Sequence, residues 1–232
     1  MTSRTRVLAA ALLAPLLTLT ACSGDEGGKG DGDPADVLGA AKTALDETSG
    51  VHLVLAADDL PDDISGVVKA EGDATHAPAF KGDIIGRFEG IEATIKVIAV
   101  DGVVYVVLPF SSDYQELENP EDYGAPDPAG LMDPSSGVSA WLTATTDVEK
   151  GEQTRDGGDV LTTYTGTLPG ANVVAALPSA DETGSFEASY AIDDEGFLRS
   201  ATITGPFYKG EPDVTYELTL SDYGTNPDIS AP

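Results

Sequence analysis

Phe80-Lys-Gly-Asp-Ile-Ile-Gly-Arg-Phe88, followed two residues later by Ile91-Glu-Ala-Thr-Ile-Lys-Val-Ile-Ala99, decides the fold. In the first run Phe80, Gly82, Ile84, Gly86 and Phe88 face one way, while Lys81, Asp83, Arg87 and Glu89 face the other. In the second, Ile91, Ala93, Ile95 and Val97 alternate with Glu92, Thr94 and Lys96. A period of two with one apolar side marks half-buried antiparallel strands. Asp101-Gly102 then makes a tight turn into residues 103–109. There both faces are apolar: Val103, Tyr105 and Val107 on one, Val104, Val106 and Leu108 on the other. That strand is expected to be covered on both sides.

The same alternation extends outward in both directions. Upstream, residues 51–56 and 64–75 read as strands; downstream, residues 160–168, 186–192, 197–205 and 214–221 do. About nine antiparallel strands result. Glycines at Gly82, Gly86 and Gly166 relieve packing or allow curvature. Ahead of the strands, Asp33-Pro34 opens a helix with aspartate as N-cap and proline in the first turn. Leu38, Ala41 and Leu45 recur at helical spacing, and Ser49-Gly50 ends it. The middle of the chain is expected to be poor in sheet, with residues 113–125 an acidic loop. Two Asp-Pro pairs, at Asp127 and Asp133, each look like a helix start, the second leading into Val138, Trp141 and Leu142. Residues 169–177 form a further short helix with Val173, Val174 and Leu177 apolar. The class is α+β: a strongly bent antiparallel sheet whose concave side receives short helices, with an apolar hollow between the layers. A filled core would show the same alternation.

The N-terminus carries a different signal. Arg4 and Arg6 precede an apolar run from Val7 to Leu19, broken only by Pro15 and Thr18. A basic start, a short apolar middle and small residues before a cut site mark a secretory signal, and the run is short against the roughly 20 apolar residues of a spanning helix. Leu19-Thr20-Ala21-Cys22 resembles the pattern read by the bacterial lipoprotein pathway. That resemblance implies cleavage after residue 21 and a diacylglyceryl thioether on Cys22, the only cysteine. Two acyl chains suffice for stable anchoring where one gives marginal attachment. An ordinary signal peptide with a cysteine nearby is the plain alternative. Residues 1–21 are thus read as signal and residues 22–33 as lipidated cysteine and flexible linker. Residues 34–232 are read as a single domain. The eleven linker residues after Cys22, rich in Gly and Asp, have a mean reach of about 17–20 Å.

Charge narrows the partners. The chain has 12 Lys and Arg against 40 Asp and Glu; loss of both arginines with the signal takes 12 − 40 = −28 to 10 − 40 = −30. Such a chain is repelled by nucleic acid and by anionic lipid surfaces. A saline habitat would leave the same acidity. Asp31, Asp33 and Asp36 do not make a calcium loop, because Asp36 stands where glycine and Lys42 where glutamate would be needed. Asp193-Asp-Glu-Gly196 reads as a turn joining strands. His52 and His76 are the only histidines and neither has a catalytic or ligand motif beside it. No catalytic residue, metal site or cofactor is expected, and the chain is read as not an enzyme.

Several of these stretches, taken together, resemble the LppX/LprAFG lipoproteins of actinobacteria. They are the Cys22 motif, the first helix followed by Ser49-Gly-Val-His-Leu53, and the Ile98-Ala-Val-Asp-Gly-Val-Val-Tyr105 hairpin. With them go Asp127-Pro-Ala-Gly-Leu-Met-Asp-Pro134 leading to Gly137, Trp141 and Leu142, and the ending from Leu218 to Pro232. The resemblance implies a half-barrel like that of the LolA/LolB lipoprotein carriers, with helices over its concave side. It also implies an apolar cavity holding the acyl chains of lipids or glycolipids, export to the outer face of the plasma membrane, and a membrane lipid exporter as partner of some members. The candidate cavity residues are Phe88, Ile95, Val97, Val104, Val106, Val138, Trp141, Leu142, Val173, Val174 and Leu177, each also readable as plain core. Trp141→Ala is expected to weaken lipid binding more than folding stability. A tethered protein-interaction module of the same fold, without cargo, is the alternative function.

Overall fold

The structure is a computed structural model that describes residues 32–58, 60–120 and 126–232. The expected signal, Cys22 and most of the linker lie outside the described residues. The first helix, α1 (Pro34–Glu47), starts as the sequence predicts: the Asp33 carboxylate accepts a hydrogen bond from the Ala35 amide, with proline at the first helical position. Val37, Leu38, Ala41 and Leu45 form its buried stripe.

Among the described residues eleven strands follow, all in one antiparallel sheet. They are β1 (Gly50–Asp58), β2 (Gly66–Thr75), β3 (Ala79–Phe88), β4 (Ile91–Val100), β5 (Val103–Val107), β6 (Gln115–Glu116), β7 (Thr146–Asp156), β8 (Asp159–Pro169), β9 (Ser185–Asp193), β10 (Leu198–Gly205) and β11 (Val214–Ser221). Their order is β6-β5-β4-β3-β2-β1-β11-β10-β9-β8-β7, so the sheet is open, with β6 and β7 at its edges. Between β6 and β7 the chain makes a 3-10 turn (Pro128–Met132) and α2 (Val138–Ala144); α3 (Gly170–Val173) follows β8.

Register explains the core. Ile95, Ile84, Ala70, Leu55, Leu218, Ala201, Tyr190 and Tyr164 oppose one another in turn across eight strands. Since side chains two apart share a face, this row and its neighbours make one apolar surface, against which Leu38, Leu131, Trp141 and Leu142 of the helical layer pack. In the next row Gly72 and Gly82 oppose each other between Leu53 and Val97. A Cβ at Gly82 would meet the Glu71 carbonyl and lie 2.8 Å from the Phe80 ring, and one at Gly166 would lie 2.6 Å from a Thr145 methyl group. Both glycines admit a close neighbour; Gly86, with nothing nearer than 3.9 Å, does not.

Three expectations need correction. The sheet has eleven strands rather than about nine, because β6 and β7 were not expected. Strand β7 is exposed along almost its whole length. Glu149, Glu152 and Arg155 stand exposed on an edge joined to β8 chiefly by backbone pairing, with Gln153 Nε2 also donating to the Thr162 hydroxyl at 3.1 Å, so no apolar alternation marks it; charged edges also discourage pairing with other chains. Strand β6 is two residues inside the acidic loop. The strand after Asp101-Gly102 is not covered on both faces. Val104 and Val106 are buried, whereas Val103, Tyr105 and Val107 are half-buried, and Leu108 lies beyond the strand and is exposed. The helical layer packs only on the Val104 side. Finally, the helix predicted over residues 169–177 is a single turn, Gly170–Val173. The Asp101-Gly102 hairpin turn is present, both residues having positive φ.

Buried phenols make this fold sensitive to alkali. Burial pushes the Tyr190 hydroxyl up to about 12; burial and the adjacent Tyr208 also push Tyr216 up. Unfolded chains release such protons near pH 10, while the native state holds them. The stabilisation is therefore complete below about pH 10 and falls above it by about 1.4 kcal/mol per pH unit for each such phenol, Tyr190 ceasing to add near pH 12. Urea midpoints measured from about pH 9 to pH 11 are expected to drop accordingly, and a flat profile would refute the assignment.

Candidate functional site

The apolar face of the sheet and the helical layer do not close completely. Between them lies a hollow walled on the sheet side by Leu55 of β1, Val67 and Ala70 of β2, Ile84 of β3, Ala201 and Ile203 of β10, and Tyr216 and Leu218 of β11. Opposite stand Pro126, Pro128 and Leu131, then Val138 and Trp141 of α2, with Leu177, Ser179, Phe207 and Tyr208 from loops. Among the described residues no lining side chain is charged, and Ser179, Trp141, Tyr208 and Tyr216 supply the polar side-chain atoms. The cavity volume is about 60 Å³, several times the roughly 10–15 Å³ needed by one water. That is room for a short stretch of one hydrocarbon chain.

The wall opposite the sheet is held by a few polar contacts. Thr145, at the end of α2, donates through its hydroxyl to the Trp141 carbonyl at 2.8 Å. Its oxygen lies 2.9 Å from the Tyr190 hydroxyl, which is therefore the donor of that second bond. This ties α2 to β9. The Trp141 indole Nε1 donates to the Asn172 carbonyl at 3.2 Å, tying α2 to α3. Lys42 of α1 donates to the Pro134 carbonyl at 2.7 Å and to the Ser139 hydroxyl at 3.3 Å. The 3-10 turn is capped by the Asp127 carboxylate, which accepts from the Ala129 amide at 2.9 Å. Both Asp-Pro pairs thus start or precede the segments that form the wall.

Of the residues singled out in the sequence, Val138, Trp141 and Leu177 meet at the hollow. Val97, Val104, Val106, Leu142 and Val173 are buried in the core without lining it, and Ile95 and Val174 are half-buried outside it. Phe88 is a correction: it is 48 % exposed at the end of β3, paired with Ile91, itself 72 % exposed. Alternation placed it correctly on the inner face, but it stands four residues beyond Ile84, past the stretch of β3 that lines the hollow. Leu55, Ala70, Ile84, Ile203, Tyr216 and Leu218 were missed. Their signal was the alternation itself, which names a face but not the depth along it.

The histidines are not gathered at this hollow. His52 is half-buried on the opposite face of β1, its Nδ1 lying 2.9 Å from the Asp73 carboxylate, and His76 is exposed in the β2–β3 turn. Among the described residues no group of three or more His, Cys, Asp or Glu is placed to hold a metal ion.

Residues 33–229 match the LppX_LprAFG lipoprotein family model. The chain belongs to the LppX_LprAFG lipoprotein family. Among solved structures it is similar to LprF from Mycobacterium bovis, with a TM-score of 0.71 and 17 % identity over 86 % of this chain and 96 % of that one. It is also similar to the lipoprotein LppX of Mycobacterium tuberculosis, with a TM-score of 0.59 and 17 % identity over 86 % of this chain and all of that one. At such identity the likeness shows a shared fold. No curated protein matches the sequence closely. Within this LppX_LprAFG lipoprotein, no helix among the described residues is long and apolar enough to cross a membrane.

Proposed function

We propose that this LppX_LprAFG lipoprotein binds an acyl chain of a lipid or glycolipid in the hollow and carries it through the cell envelope. It does so anchored by a diacylglyceryl group on Cys22 at the outer face of the plasma membrane. Residues 34–232 act as one lipid-binding domain behind the linker, beside a membrane lipid exporter. The observation that carries this reading is the hollow between Leu55, Ile84 and Leu218 on one side and Trp141 on the other, whose lining among the described residues holds no charged side chain. A chain leaving a bilayer exposes hydrocarbon at about 25 cal/mol per Å², and a hollow of this lining removes that penalty without any reaction step. Its outer wall is a five-residue 3-10 turn, a seven-residue helix and loops. Widening to admit a longer chain therefore need not separate any pair of strands.

Lipid extracted from the full chain made in its native host tests the proposal. Mass spectrometry is expected to find co-purifying acyl lipid, and Leu55→Trp, which fills the hollow from a half-buried position, is expected to remove it while far-UV circular dichroism stays unchanged. Absence of lipid from the unaltered protein would overturn the reading. The small cavity, with Ile91 and Phe110 exposed at 72 % and 109 %, favours one other function: a tethered module that docks a protein partner and holds no cargo. It predicts no lipid in either sample.

A further inference from the structure

One side of the hollow carries a short polar relay whose protons can be counted. The Tyr216 hydroxyl donates to the Val67 carbonyl at 2.9 Å, since a carbonyl can only accept. Its single proton is thereby used. The Tyr208 hydroxyl, 2.8 Å away, must then be the donor to the Tyr216 oxygen. A phenol has one proton and can still accept, so the Tyr208 oxygen ends the relay as an acceptor with nothing left to donate. Its position is built in: the Tyr208 hydroxyl occupies the space that a Cβ would fill at Gly66. Tyr208 and Tyr216 both line the hollow, in a wall that is otherwise almost wholly apolar.

We infer that Tyr208 is a specificity-determining residue that accepts a hydrogen bond from a hydroxyl on the ligand. This selects lipids with a free hydroxyl close to their chains, such as partial glycerides or glycolipids, over fully esterified or etherified ones. The inference rests on the chain-binding reading above and deepens it. A ligand without a donor covers the Tyr208 oxygen and leaves its accepting lone pairs unfilled, and one hydrogen bond in such a place is worth about a five- to tenfold difference in affinity.

Titration of the full chain with dodecanol and with dodecyl methyl ether, followed by the fluorescence of Trp141, the only tryptophan, tests this with ligands that differ in one donor. The unaltered protein is expected to bind the alcohol about five- to tenfold more tightly. Tyr208→Phe, which keeps the ring, is expected to bind both equally. Ser179→Ala, which removes the wall hydroxyl that stands outside the relay, is expected to keep the preference. No preference in the unaltered protein, a preference that survives Tyr208→Phe, or one abolished by Ser179→Ala would overturn the inference and leave the chain-binding reading standing. Failure of both ligands to bind would overturn both.

Discussion

Replacing Asp193 by alanine is expected to lower stability by about 3–5 kcal/mol, the range for breaking a buried ion pair. The Asp193 side chain is only 2 % exposed, and its carboxylate is fully engaged. One oxygen accepts from the Glu195 and Phe197 amides at 3.0 and 2.8 Å. The other accepts from Arg199 Nε at 2.7 Å. The Arg199 guanidinium in turn lies 5.8 Å from the ring centres of both Phe197 and Tyr223, and the Tyr223 hydroxyl donates to the Leu198 carbonyl at 2.6 Å. One carboxylate therefore closes the β9–β10 turn and fixes the cation that holds the last aromatic residue against the sheet. Arg199 remains 28 % exposed and can regain water in the variant, which places the loss toward the lower end of the range. Asp193→Asn keeps an acceptor for the turn amides and is expected to lose about half as much. Urea unfolding measures both; a loss under about 1 kcal/mol for the alanine variant would show that the pair is dispensable.

Trp141→Ala is expected to remove about 3–5 kcal/mol as well, the usual range for deleting a buried aromatic side chain. Trp141 is 5 % exposed and its indole is hydrogen-bonded to Asn172, so the residue belongs to the core and to the hollow at once. Binding is expected to fall with stability in this variant, which differs from the binding-dominated effect read from the sequence. Leu55→Trp separates the two quantities. Leu55 is half-buried at the hollow, so its enlargement is expected to cost about 1–3 kcal/mol through overpacking while removing most co-purifying lipid. Circular dichroism through a urea series reports the first quantity and mass spectrometry the second. Retention of lipid by Leu55→Trp would remove the hollow from the proposed function.

What the sequence carried was everything repeated or capped. Alternation over residues 80–99 marks the strands and their inner face, because burial on one side of a pleated sheet forces apolar residues to every second position. Asp33-Pro34 and Asp127-Pro128 mark starts because a carboxylate and a missing amide suit the first turn. The same logic was blind to β7, whose pairing is made chiefly by backbone groups while Glu149, Glu152 and Arg155 face solvent. It was equally blind to the role of Asp193, where a common acidic turn and a buried ion pair have the same spelling until Arg199 is brought alongside.

Depth and partnership belonged to the tertiary structure alone. Phe88 and Ile84 share a face and a strand, yet one is exposed and the other walls the hollow, because the stretch of β3 that lines it stops short of the hairpin. Val97 and Leu55 both lie on the inner face of the sheet; only the packing of Trp141 and the loops over β1–β3, β10 and β11 leaves space beside Leu55 and none beside Val97. The relay from Tyr208 through Tyr216 to Val67 joins residues up to 149 apart in sequence. A local period can state which way a side chain points, but what it meets there is fixed by chain segments that no local pattern contains.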